Sequence, residues 1–185
     1  MDRVHITRAL LEAIETKDPR ESADRARMLE LLNVAGARAF DRDHFVPGHF
    51  TASAFLVSTD GQQVLLIHHG KLDRWLQPGG HIESDDRDPY AAALRELEEE
   101  VGVEPTSVSG TRDLFDVDIH EIPARKNEPA HEHFDLRFLL QAASDEFTAG
   151  EEVKSAAWRT LSDLLETADD ESVRRAATKL LNRNR

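Results

Sequence analysis

The chain has 185 residues, enough for one domain and an extension, and no cysteine, which excludes disulfides, thiolate metal sites and cysteine nucleophiles. Thirty-six acidic residues against 23 Lys and Arg give a net charge of −13, which disfavours a nucleic-acid polymer as partner but leaves open a small polyphosphate carried with its cations. No signal-peptide core and no apolar run of membrane-spanning length is present, so a soluble cytoplasmic protein that binds no membrane is expected.

Residues 1–45 read as a helical extension. Ile6, Leu10 and Ile14 follow one face, and Met28, Leu31, Leu32 and Ala35 another. Asp18-Pro19 breaks the two, with Pro19 suited to the first turn of the second helix. The pair either packs on the domain that follows or forms a homodimer contact. The short linker through Val46-Pro47-Gly48 favours packing. Residues 46–185 read as a single domain.

From Phe50 the pattern becomes strand-like. Phe50–Ser58 and Val64–His69 flank Thr59-Asp60-Gly61-Gln62, a hairpin signal because Asp-Gly fits a tight turn. Trp75–Gln77 is a short extended piece. Lys71 and Arg74 precede it, and their charge either steers a polyanion or serves surface solubility.

The stretch from Pro78 to Val103 carries the chemistry. A helix from near Asp88 to Val101 starts with Pro89 in its first turn and is closed by Gly102. Ala92, Leu94, Leu97 and Val101 supply its apolar side. Glu96, Glu99 and Glu100 stand at i, i+3 and i+4, so three carboxylates share one face and repel unless a cation lies among them. Hard oxygen ligands of this kind suit Mg2+ or Mn2+ alongside phosphates. Gly79 and Gly80 just upstream let the backbone approach closely. A solvated acidic helix face is the alternative.

This segment resembles the Nudix box, Gly-x5-Glu-x7-Arg-Glu-U-x-Glu-Glu-x-Gly-U with U aliphatic. Arg95 to Val103 match position for position, and Gly80 matches the opening glycine, with Pro78, Gly79 and Glu83 around it. The middle departs from the pattern. Six residues on from Gly80 is Asp86, and eight back from Arg95 is Arg87, so one extra residue falls in the Ser84–Asp88 turn and the box's first glutamate is missing.

Strands are expected at 107–120, 131–143 and 152–159. In the second, His131, His133, Asp135 and Arg137 alternate with Phe134, Leu136, Phe138 and Leu140. The apolar side faces a core. The polar side meets solvent, lines a cleft, or holds a transition metal through its histidines and Asp135. Arg137 suits a bidentate phosphate or carboxylate contact. His81, beside the glycine pair, is placed near bound phosphate or satisfies a loop carbonyl, and His120 reads similarly. The loop from Glu121 to Ala130, with Arg125 and Lys126, suits a specificity loop or simple flexibility. Trp158, Leu161, Leu164 and Leu165 open a short helix, and 170–182 forms a last one. Phe50, Phe115 and Phe134 are candidates for stacking on a base.

The order of elements is α/β or α+β, and the resemblance implies the Nudix α/β/α sandwich with a mixed sheet, preceded here by the helical extension. It further implies Mg2+- or Mn2+-dependent hydrolysis of a diphosphate linkage in a nucleotide or other organic pyrophosphate, a small-molecule substrate. Glu96, Glu99 and Glu100, with the Gly79 carbonyl, are the implied metal ligands. Glu96, Glu99 and Arg95 are the catalytic set, with Arg95 orienting the carboxylates. Gly80, His81, Arg74, His133 and Arg137 are the candidate substrate contacts. The general base is a box glutamate or one of Glu128, His131 and His133. Three rival readings remain. A non-catalytic Nudix nucleotide-binding module typically loses box carboxylates, and these are retained. An isoprenoid-diphosphate isomerase of this type relies on a cysteine, and none is present. A structural protein with an acidic helix would need the box register to be accidental.

Overall fold

The computed structural model describes residues 2–183 apart from 70–72, 126–127, 152 and 169; Lys71 and Lys126 lie outside the described residues. Asp2 opens the first helix, α1 (Arg3–Ala13), its carboxylate accepting the His5 N–H at 3.0 Å. Asp18 caps α2 (Pro19–Ala35) by accepting from Arg20 and Glu21, and Pro19 sits in the first turn, where its missing N–H leaves no gap in the ladder. In α1 the buried positions are Thr7 and Leu11, while Ile6, Leu10 and Ile14 are half-buried. The contact seam is therefore turned by one residue from the expected stripe. In α2, Met28, Leu31 and Leu32 are buried, joined by Glu21 and Asp24.

The strands are β1 (Gly48–Val57), β2 (Gln63–His69), β3 (Arg74–Leu76), β4 (Gly79–His81), β5 (Val108–Ile122), β6 (His131–Ala142) and β7 (Val153–Thr160). Between β4 and β5 lies α3 (Pro89–Val101); α4 (Leu161–Thr167) and α5 (Glu171–Arg183) end the chain. The seven strands form one sheet in the order β3-β2-β1-β6-β5, with β4 paired to β1 and β7 to β2. The α/β class expected from the sequence holds. Trp158 lies on β7 rather than opening α4. Among the described residues no helix is long and apolar enough to cross a membrane.

Contacts divide the chain into two compact units. The first takes the N-terminal stretch to Ser53, with Gly80–Ala93 and Arg112–Phe138. Here α2 packs down rather than standing apart. Arg27 meets Glu132 at 2.5 Å and lies 5.6 Å from the centre of the Phe134 ring, while Arg3 reaches the Glu83 carbonyl at 3.1 Å. Phe50 stacks on Phe40 at 5.2 Å and meets Phe134 edge-on at 6.0 Å. Phe50, Phe115 and Phe134 are all buried, which corrects their reading as base-stacking residues. Each sits on the apolar side of its strand and is used up in the core.

The second unit takes Ala54–Gly79, Leu94–Thr111 and the chain from Leu139 onward. Val64-Leu65-Leu66-Ile67 of β2 are all buried, the unbroken apolar run of a strand covered on both faces. β7 pairs along β2 from Gln63↔Thr160 to Ile67↔Ala156, and the end of β1 pairs at Leu56↔Leu65. The expected hairpin closes them. Gly61 takes φ +71°, and Asp60 accepts from the Ser58 hydroxyl at 2.6 Å and the Gln62 N–H at 2.9 Å.

Candidate active site

The box helix begins and ends where its residues dictate. Asp88 accepts the Ala91 N–H at 2.9 Å as the cap before Pro89, and Gly102 closes the helix at φ +65°. Along α3 the buried positions are Ala92, Ala93, Leu97 and Val101, with Leu94 half-buried rather than buried. That leaves Arg95, Glu96, Glu99 and Glu100 off the buried side.

In the second unit Arg95 Nη1 donates to Glu96 Oε1 and to Glu99 Oε2, both at 2.9 Å. One guanidinium nitrogen thus ties two like charges together. The side chain of Glu96 is 13% exposed and that of Glu99 57%, so one carboxylate is sheltered and the other open to solvent. Glu100 is fixed separately: its Oε2 accepts the Gly79 N–H at 2.9 Å. The neighbouring Pro78 carbonyl accepts the Ala54 N–H at 3.0 Å, which pins the glycine turn to β1. Arg74 is exposed, 3.8 Å from Asp170.

A residue that nothing in the sequence singled out also holds this helix end. The Gly150 N–H donates to the Glu100 carbonyl at 2.8 Å, and a Cβ at Gly150 would collide with the Glu99 carbonyl oxygen. Because the clashing atom is backbone, Gly150→Ala is expected to destabilise the protein by about 1–3 kcal/mol. Urea denaturation measures this, and a loss within 0.5 kcal/mol, about the ordinary surface range, would show that the loop gives way.

The first unit holds the other predicted residues. In the lengthened turn Glu83 N–H donates to Asp86 Oδ2 at 2.8 Å, so Asp86 braces the loop. Asp88, buried, also accepts from Arg112 at 3.0 Å, and Arg112 stacks 4.7 Å over Tyr90. Asp88→Ala removes a cap and the ion pairs to Arg112 and Arg87 together. It is expected to cost about 1–2 kcal/mol by thermal denaturation, with Asp88→Asn keeping most of the cap.

The polar side of β6 is no solvated face: His131, Asp135 and Arg137 are buried and His133 is half-buried. Arg137, expected to meet a phosphate or carboxylate, meets the protein's own carboxylates. Its guanidinium donates to Asp135 at 2.8 Å, Asp118 at 3.2 Å and Asp116 at 3.4 Å. Burial works against its charge, but the three carboxylates outweigh it and hold the proton above the usual arginine range. Thr51 and Ser53 donate in turn to Asp135 at 3.1 and 2.8 Å.

His81 and His133 belong to a group of five imidazoles with His49, His120 and His131. Ring centres lie 4.9 Å apart for His49 and His133, 5.1 Å for His49 with His81 and with His131, and 5.5 Å for His120 and His133. Burial first, then the His81 ring, lower the His49 pKa to about 4. Burial, then the surrounding histidines, lower that of His133 to about 2. Both rings are neutral at pH 7. The signal for this cluster was the same two-residue alternation in three strands: His49, Thr51 and Ser53; Asp116, Asp118 and His120; and the stripe on β6.

A NUDIX domain model matches residues 47–181. A probable DHNTP pyrophosphohydrolase from Lactococcus lactis subsp. cremoris is 34% identical over 98 residues, which cover 52% of this chain and 55% of the relative. The chain thus spans about half the length of that curated relative. Among solved structures, a NUDIX-family hydrolase from Clostridium perfringens is 28% identical with a TM-score of 0.54, over 72% of this chain and 97% of that one. The E. coli dihydroneopterin triphosphate pyrophosphohydrolase shares the fold with a TM-score of 0.59 at 17% identity, over 72% and 95%.

Proposed function

This chain belongs to the Nudix family, and we propose that it is a divalent-metal-dependent pyrophosphohydrolase cleaving a diphosphate linkage in a nucleotide or related organic pyrophosphate. What supports this reading is the set of box carboxylates held by fixed partners: Arg95 between Glu96 and Glu99, and the Gly79 N–H on Glu100. Three carboxylates with a peptide group beside them have the hard-oxygen chemistry that Mg2+ or Mn2+ takes. Glu96, Glu99, Glu100 and the Gly79 carbonyl would hold the ion. When bound, it supplies positive charge against the diphosphate oxygens and lowers the pKa of water.

The chain's own residues do the rest. Arg95 keeps Glu96 and Glu99 oriented, and the Gly79 N–H fixes the carboxylate of Glu100. Glu99, the more exposed of the Arg95 partners, takes the proton from the attacking water. We assign the activity to residues 46–185, with 1–45 as a helical extension; the family match starting at residue 47 supports that boundary.

The test is release of phosphate or pyrophosphate from nucleoside triphosphates, nucleotide sugars, dinucleoside polyphosphates, ADP-ribose and dihydroneopterin triphosphate. The last is included because of the Lactococcus relative's name. Each is assayed with Mg2+, with Mn2+ and with chelator. Release that chelator abolishes is expected for one class. Metal-dependent thermal stabilisation by one compound with no release from any would overturn hydrolysis in favour of a binding module.

A further inference from the structure

The histidine cluster of the first unit has a chemistry that diphosphate hydrolysis does not use. One ring nitrogen from each of His49, His131 and His133 lies within 4.8 Å of the other two. Three imidazoles around one tetrahedral zinc ion, at about 2.0–2.1 Å each, have nitrogens roughly 3.4 Å apart, so small side-chain rotations suffice to converge them. His49 is 1% exposed, and its Nε2 is buried without a hydrogen-bond partner. An orphaned buried nitrogen is costly unless something meets its lone pair.

Two of the three rings have one nitrogen set by a carbonyl. His131 Nδ1 lies 2.9 Å from the Pro129 carbonyl and His49 Nδ1 lies 3.4 Å from the His44 carbonyl. A carbonyl only accepts, so each Nδ1 carries the proton and each Nε2 the lone pair. That is how metal-binding imidazoles are held by their surroundings. His120, whose ring neighbours His133, has Nδ1 3.3 Å from Asp118 Oδ2, an imidazole–carboxylate pair of the same kind. Asp118 shares the buried group of Asp116, Asp135 and Arg137, in which three carboxylates face one guanidinium.

We propose that His49, His131 and His133 bind one divalent transition-metal ion of the zinc class, separate from the ion of the box glutamates. Nitrogen donors of this kind select zinc, cobalt or nickel, whereas oxygen donors select magnesium or manganese. Three protein ligands leave a fourth position open to water or an anion. The site assigns His133 to the ion, and it does not depend on the hydrolase reading.

The test uses the full chain without an affinity tag, stripped with chelator and titrated with Zn2+ by calorimetry, with metal content measured after dialysis. One equivalent is expected to be retained with submicromolar affinity. His49→Gln and His133→Gln are each expected to weaken it on the order of 100-fold or more. The Glu96→Gln/Glu99→Gln double variant should keep it. Co2+ in the unmodified chain should give the strong visible absorption of a low-coordinate nitrogen site, a readout that needs no variant to fold. Failure to retain Zn2+, a weak octahedral Co2+ spectrum, or loss of zinc in the glutamate variant but not in folded histidine variants would each overturn the proposal.

Discussion

Glu99→Gln is expected to lower kcat on the order of 10²–10⁴-fold toward whichever diphosphate the protein hydrolyses, with the fold intact. The amide keeps the shape of the side chain and can still accept from Arg95 Nη1, now at 2.9 Å from the carboxylate. What it loses is the negative charge, and with it both proton acceptance and strong metal ligation. Stability should move little or upward without metal. Glu96, Glu98, Glu99 and Glu100 crowd one end of α3, and removing a charge relieves repulsion there. Added Mg2+ should then raise the melting temperature of the parent more than that of the variant, because a ligand stabilises only the state that binds it. Steady-state kinetics with a thermal melt in each condition measure both effects. A kcat within twofold of the parent would remove Glu99 from the mechanism.

Arg137→Met is expected to cost about 3–5 kcal/mol, enough to unfold a domain of ordinary stability. Arg137 is 1% exposed, and its three donor nitrogens are each engaged by an aspartate in the same unit. Methionine fills much of the volume but leaves Asp116, Asp118 and Asp135 facing one another without the cation. Arg137→Lys should recover only part of the loss, since one ammonium cannot reproduce a planar fork reaching three carboxylates. In an Asp135→Asn background the same Arg137→Met change should cost less, because one of the charges left behind has gone. Urea denaturation of the four proteins measures the coupling. A loss under about 1 kcal/mol for Arg137→Met would mean that the cluster does not hold the first unit together.

Some of this molecule is written in short segments and was legible there. The box helix could be bounded because its cap, Asp88-Pro89, and its stop, Gly102, are contiguous with it; the hairpin could be placed because Asp60-Gly61 is itself the turn. Both depend on hydrogen bonds between residues a few positions apart. Even the Arg95 bridge is local, since Glu96 and Glu99 are its neighbours at one and four residues. The family resemblance rests on the same contiguous stretch.

Other features depended on strands meeting. The alternation on β6 separated a polar from an apolar side but could not say what the polar side faced. The answer lies in Thr51 and Ser53, more than eighty residues away, and in Asp116 and Asp118 on β5, which turn Arg137 from an expected substrate contact into the centre of a buried ion cluster. His49 was not singled out as a ligand in the sequence, although it alternates with Thr51 and Ser53; its partners His131 and His133 lie more than eighty residues on, and the fold brings them together. Gly150 became informative only when its loop was found against the Glu99 carbonyl. The helix that carries the carboxylates follows from its own stretch of chain, because backbone hydrogen bonds and side-chain period act over a few residues. Which charges are buried together and which imidazoles converge follows from the folded packing, because desolvation and pairing depend on groups that the chain brings together from far apart.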